Sequence, residues 1–343
     1  MRSDRLALVA ALALLGGCAL SLDDATDGGA AADGGAPPRP TCPAFADGER
    51  GVAATGRLRS FAVDGGAVFV VDRLTPGAGA PAVANAVFEV NAPDATTCLR
   101  GGPAGPVAAG LDARALGDGV TTGLLAAFVA GGRRFAFVQV SAPDGFVPVG
   151  VALAEWDDAA GLYVADGGYL FTADRPNFGD AALVVGDLVY AYGCRGSGWL
   201  TDACYVARAP ADRLHDPTAY EFYRSGGDFG PSADDAWPIF DGGAGLAVVQ
   251  RGARVYALYA PPLGAEIRLR SGLGPTGPWS TEFTMTACEL AAKDAFCGGV
   301  SAHDVLGGGD ESVAVTYAVS SFSALPAGAA ASRLVVVPIT GLP

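Results

Sequence analysis

The chain has 343 residues, half of them hydrophobic and 17% charged, with a formal net charge of −14. An acidic balance of that size repels phosphate backbones and disfavours nucleic acid as a partner. A membrane-spanning helix needs about 20 consecutive apolar residues, and no segment supplies them.

At the N-terminus, Arg2 and Arg5 precede the apolar run Leu6 to Leu15, which has the charged and hydrophobic regions of a secretory signal. The run ends in Leu15-Gly16-Gly17-Cys18, which resembles the lipobox of bacterial lipoproteins, where the cysteine is acylated on sulfur and becomes the new N-terminus. The resemblance implies a signal peptide over residues 1–17, lipid on Cys18 and attachment to a membrane. Ala19 after the cysteine points to the outer membrane or cell surface of a Gram-negative bacterium. Loss of Arg2, Asp4 and Arg5 with the signal takes the net charge from −14 to −15. Residues 19–40 are rich in Gly, Ala, Asp and Pro and lack aromatics, so with Cys18 they read as a disordered tether of about 25 Å r.m.s. reach.

Residues 41–343 form the folded part. Short apolar strands broken by Gly and Asp turns run throughout, without a helical period, which predicts an all-β class. A hairpin recurs five times: SFAVDGGAVFVVD, LLAAFVAGGRRFAFVQV, AALVVGDLVYAYG, GLAVVQRGARVYALYA and HDVLGGGDESVAVTYAV. The turn glycines Gly65, Gly131, Gly186, Gly252 and Gly308 are spaced by 66, 55, 66 and 56 residues. That period leaves room for a further strand pair, visible after the third hairpin in CYVARAP and AYEFYRS, and four strands per unit make the blade of a β-propeller. The expected architecture is a five-bladed β-propeller. Two packed β-sandwiches of about 150 residues each are the rival, ranked second because no Pro/Gly-rich linker interrupts the middle of the chain.

With Cys18 assigned to lipid, six cysteines remain for an oxidising compartment. Proximity pairs Cys194 with Cys204 and Cys288 with Cys297, leaving Cys42 for Cys98. The spacings lack CxxC and the histidines are distant in sequence, so a metal site is not expected.

Particular residues resemble known families. Tyr190-Ala191-Tyr192-Gly193, Cys204 to Pro210 and Tyr220-Glu221-Phe222-Tyr223 resemble the third blade of a secreted bacterial family, domain of unknown function 4185. Arg268-Leu269-Arg270-Ser271 leading to Gly277-Pro278-Trp279-Ser280 is similar to the fourth-blade signature of five-bladed propellers that include glycoside hydrolase family 43. The resemblance implies a five-bladed fold with its active centre at the mouth of the axial channel, near the starts of the innermost strands.

If the first strand of each hairpin is innermost, the candidates at that mouth are Asp180, Asp241 and His303 with Asp304 from the third to fifth units. The second unit adds Asp118 and Thr121, and the first Arg57 and Arg59. Glycoside hydrolysis needs two opposed carboxylates, and Asp180 with Asp241 is the pair to test. His303 is a candidate ligand or acid–base group. Glycosidase-like propellers place an essential acid near the start of the first blade, whereas this chain offers Arg57 and Arg59. Trp199, on the loop closed by Cys194 and Cys204, is a candidate stacking surface, while Trp279 is expected to pack between blades. Gly272 to Gly277 matches GxGxxG by letter, but Pro278 and Trp279 follow it instead of a phosphate-binding helix.

The expected function is thus ligand binding at the channel mouth by a membrane-anchored, monomeric protein without a cofactor, the ligand being carbohydrate or an envelope protein. The alternatives are a glycoside hydrolase using Asp180 and Asp241, and a non-catalytic interaction scaffold.

Overall fold

The structure is a computed structural model that describes residues 42–47, 52–63, 66–91, 99, 107–143, 147–198, 200–243, 245–306, 309–323, 325 and 332–339. The signal, the tether, Cys98, Trp199, Gly65 and Gly308 lie outside the described residues.

Strands fall into five sheets, and among the described residues the only helical turns are short 3-10 segments. Each sheet is one blade, built outward from an innermost strand: Val52–Val63 in blade I, Thr121–Ala130 in blade II, Ala181–Val185 in blade III, Ala247–Arg251 in blade IV and Ala295–His303 in blade V. Each innermost strand packs against the next, and that of blade V packs against that of blade I, so the ring closes. The fold is a five-bladed β-propeller. Blade V takes its outermost strand from Cys42–Pro43, where Cys42 and Pro43 oppose Leu334 and Arg333.

The apolar hairpins become blades because both faces of each sheet are buried. Among the described residues there are five buried apolar clusters, one between each pair of neighbours. Period-two alternation divides each strand between two of them. On the second strand of blade IV, Val255, Ala257 and Tyr259 face blade III while Tyr256 and Leu258 face blade V. On blade II, Phe135 and Phe137 face blade III while Ala136 and Val138 face blade I. A strand buried on both sides has no polar face, which is why these segments read as continuous hydrophobic runs. Gly131, Gly186 and Gly252 turn three of the hairpins with φ of 57°, 60° and 53°, where a Cβ would be strained.

Cys194 with Cys204 and Cys288 with Cys297 are disulfides, as the proximity reading expects. Cys42 is also disulfide-bonded, to a residue outside the described set. The blade IV signature is structural. Arg270 donates to the Tyr259 hydroxyl at 3.0 Å and the Ser280 carbonyl at 2.9 Å, Ser271 and Ser280 exchange hydrogen bonds, and Trp279 packs edge-on to Phe240 toward blade III. Gly272 to Gly277 is a turn between two strands of that blade, with no helix after it.

Candidate functional site

All five innermost strands line an axial cavity of about 390 Å³. Three of them carry a register shift, between Thr55 and Leu58, Leu124 and Ala127, and Gly298 and Ser301. These irregularities mark one level of the ring. Ala126 N–H donates to the Gly179 carbonyl at 2.9 Å, Arg57 reaches Asp180 at 2.8 Å, and Gly245 and Gly299 approach so closely that a Cβ on Gly245 would lie 2.7 Å from Gly299. At this level the innermost strands of blades III and IV begin.

The irregularity in blade I aims Arg57. Gly56 sits at φ 83°, and a Cβ there would fall 2.6 Å from the Asp72 carboxylate, so only glycine lets Asp72 close over this backbone. Asp72 accepts from the Arg57 amide at 2.8 Å and from Arg59 Nη1 at 3.0 Å. Arg57 Nη1 then donates to Asp180 Oδ1, which also accepts from Asn177 Nδ2 at 3.0 Å. The Asp180 side chain is 1% exposed and that of Arg57 21%. Burial opposes the Arg57 charge, but the Asp180 and Asp72 carboxylates outweigh it and raise the pKa above the ordinary arginine value. Burial lowers that of Arg59, against the pull of Asp72 and with the push of Arg57.

Asp180 borders both the axial cavity and a second cavity of about 310 Å³, which Arg57, Gln139, Thr172, Arg175 and Arg195 also help to line. This mouth cleft lies between blades II and III. Among the described residues Asp180 is the one carboxylate in its lining.

The structure thus brings together Arg57, Arg59 and Asp180 and leaves the remaining candidates elsewhere. Asp241 lies on Phe240–Gly242, which pairs with the third strand of blade III, and the innermost strand of blade IV begins only at Ala247. Asp241 is exposed and borders neither cavity that Asp180 lines, which corrects the pairing of the two carboxylates.

His303 is the last residue of an innermost strand, not a residue before one. Four residues past Gly299, it lies about 13 Å along the strand from the mouth level. It is fully buried, and its hydrogen bonds define its tautomer. Thr316 Oγ1 donates to the Leu58 carbonyl at 3.0 Å, so it accepts from His303 Nε2–H at 2.7 Å, and Nδ1 accepts from the Ser60 hydroxyl at 2.7 Å. Burial pushes the imidazole pKa down to about 3. His303 is therefore a neutral bolt between blades V and I, which corrects its reading as a ligand-facing group.

Asp304, beyond the end of the same strand, pairs with Arg251 and is 66% exposed. It borders the axial cavity at the end away from Asp180. Asp118 is exposed on a turn before the innermost strand of blade II, and Thr121 bonds the Pro143 carbonyl. Trp199 lies outside the described residues.

Sequence reasoning missed Asp72, Asn177, Arg175 and Arg195. The signal for Asp72 was available: a carboxylate ends the otherwise apolar run of the first hairpin, opposite two arginines. The other three come from a connector and from an extended hairpin of blade III, which no periodicity marks.

The chain matches no protein-family model, so the resemblance to domain of unknown function 4185 has no support of that kind. It matches no curated protein either. Solved structures do match. A candidate hydrolase from Bacteroides ovatus shares 14% identity at a TM-score of 0.57, covering 83% of this chain and 86% of that one. The GH43_1 enzyme from Xanthomonas citri, complexed with xylotriose, shares 15% identity at 0.53, covering 87% and 89%. The α-L-arabinofuranosidase from Podospora anserina in complex with cellotriose shares 11% at 0.50, covering 87% and 93%. At these identities the likeness is one of fold: this chain is a five-bladed β-propeller of the kind found in glycoside hydrolases.

Proposed function

We propose that this protein is a lipid-anchored, extracytoplasmic lipoprotein whose propeller binds carbohydrate at the channel mouth without cleaving it. The observation that carries the reading is the ion pair of Arg57 and Asp180 where a glycosidase needs two opposed carboxylates. Hydrolysis requires one carboxyl group as proton donor and another as base or nucleophile. Here one oxygen of Asp180 already accepts two hydrogen bonds, and among the described residues no second carboxylate lines the cleft. The fold supports a glycan as ligand, since neighbours of the same architecture were solved with xylotriose and cellotriose. The cleft has the concavity and convergent polar groups of a small-ligand site.

The test is a glycan array probed with the folded domain, followed by incubation of each bound glycan and measurement of reducing ends. Binding without release of reducing sugar is the expected result. Steady release that disappears in Asp180→Asn would replace this reading with a hydrolase.

A further inference from the structure

The axial cavity is lined by a buried guanidinium most of whose donors are unspent. The Arg59 side chain is 7% exposed, and its one hydrogen bond among the described residues runs from Nη1 to Asp72. Nε and Nη2 meet no acceptor among those residues. Asp180 lines the same cavity. Its Oδ1 serves Arg57 and Asn177, its Oδ2 accepts no hydrogen bond among the described residues, and its charge is close enough to act on Arg59. Buried donors beside a buried acceptor, none of them matched, cost free energy until a partner meets them.

The charges around the cavity balance. Arg57, Arg59 and Arg251 stand against Asp72, Asp180 and Asp304, so there is no excess of either sign to attract an ion. A carboxamide is uncharged and carries a carbonyl acceptor for Arg59 next to an N–H donor for Asp180. Beyond this inner end the walls are aliphatic, formed by Ala127, Ala182, Leu246, Ala247 and Val300. Ala62, Val129 and Gln250, close to the hairpin turns, line the other end and are exposed, so the cavity opens on the face opposite the mouth cleft. From Leu246 to Gln250 the blade IV strand rises about 13 Å. The volume of about 390 Å³ falls within the range of small-molecule sites.

We propose that the axial cavity is a second ligand site, entered from the far face, for an uncharged aliphatic amide whose carbonyl meets Arg59 and whose N–H meets Asp180. The site is independent of the carbohydrate reading of the mouth.

The experiment is isothermal titration calorimetry of the folded domain with hexanamide, hexanoate and hexylammonium, which share a chain and differ in head-group charge and donors. Hexanamide is expected to bind about tenfold or more tightly than either ion, the scale of one matched hydrogen bond in a buried site. Ala62→Trp, at an exposed position on the far opening, should abolish hexanamide binding and leave the unfolding midpoint in place. Arg59→Met should remove the preference for the amide; if that variant does not fold, the three probes and Ala62→Trp decide. No binding of hexanamide, an ion that binds as tightly as the amide, or hexanamide binding that survives Ala62→Trp would overturn the assignment.

Discussion

Replacing His303 with Gln should change how stability responds to acid more than it changes stability at neutral pH. In the folded chain the imidazole is neutral, with a pKa of about 3, whereas an unfolded histidine titrates near 6.5. Above 6.5 both states are unprotonated and the residue adds no pH dependence. Below it the unfolded chain binds a proton that the folded chain refuses, so stability is fully present above 6.5 and is lost as pH falls toward 3. Each unit of that interval is worth about 1.4 kcal/mol, giving a loss of about 2 kcal/mol at pH 5 and about 3 kcal/mol at pH 4. Gln can keep both contacts, accepting from Ser60 and donating to Thr316, but it cannot titrate. Urea unfolding of wild type and His303→Gln at pH 7, 5 and 4, with disulfides intact, isolates the difference, because the two chains share every other side chain. Parallel stability curves across that range would refute the buried-neutral assignment.

Asp180→Asn should destabilise the domain by about 2–4 kcal/mol by leaving Arg57 partly buried without its counter-charge, and Arg57→Met in the same chain should recover part of the loss, read as unfolding midpoints. Gly179→Val should cost about 2–3 kcal/mol or prevent folding, since Gly179 sits at φ 108° and a Cβ would lie 2.6 Å from Phe137; circular dichroism melts check this. Replacing Cys194 and Cys204 with Ser should remove about 2.7 kcal/mol in the chain-entropy model, and non-reducing peptide mapping should recover the 194–204 and 288–297 bridges in the parent. Cys18→Ala should abolish incorporation of a fatty-acid analogue, and label retained by the variant would remove the lipoprotein reading.

The blades were legible because burial on two faces writes itself into sequence. Hairpins such as AALVVGDLVYAYG carry no polar side, and their turn glycines keep a regular spacing. The fifth blade misled because its innermost strand, AFCGGVSAH, is short of branched residues and irregular between Gly298 and Ser301, so the hairpin seemed to begin at His303. The same displacement affected Asp241, whose segment joins blade III before the chain enters blade IV. Asp180 was legible because it directly precedes its strand. Its partnership with Arg57 spans 123 residues and depends on a left-handed glycine in another blade, a coincidence that no local pattern encodes.

Closure of the ring at blade V has a directional consequence. Five blades divide the circle into steps of about 72°, so the seam between blades II and III lies diametrically across the axis from blade V. Cys42–Pro43, the outermost strand of blade V, is also the point through which residues 1–41 join the propeller. The cleft between blades II and III therefore opens on the quadrant farthest from that junction.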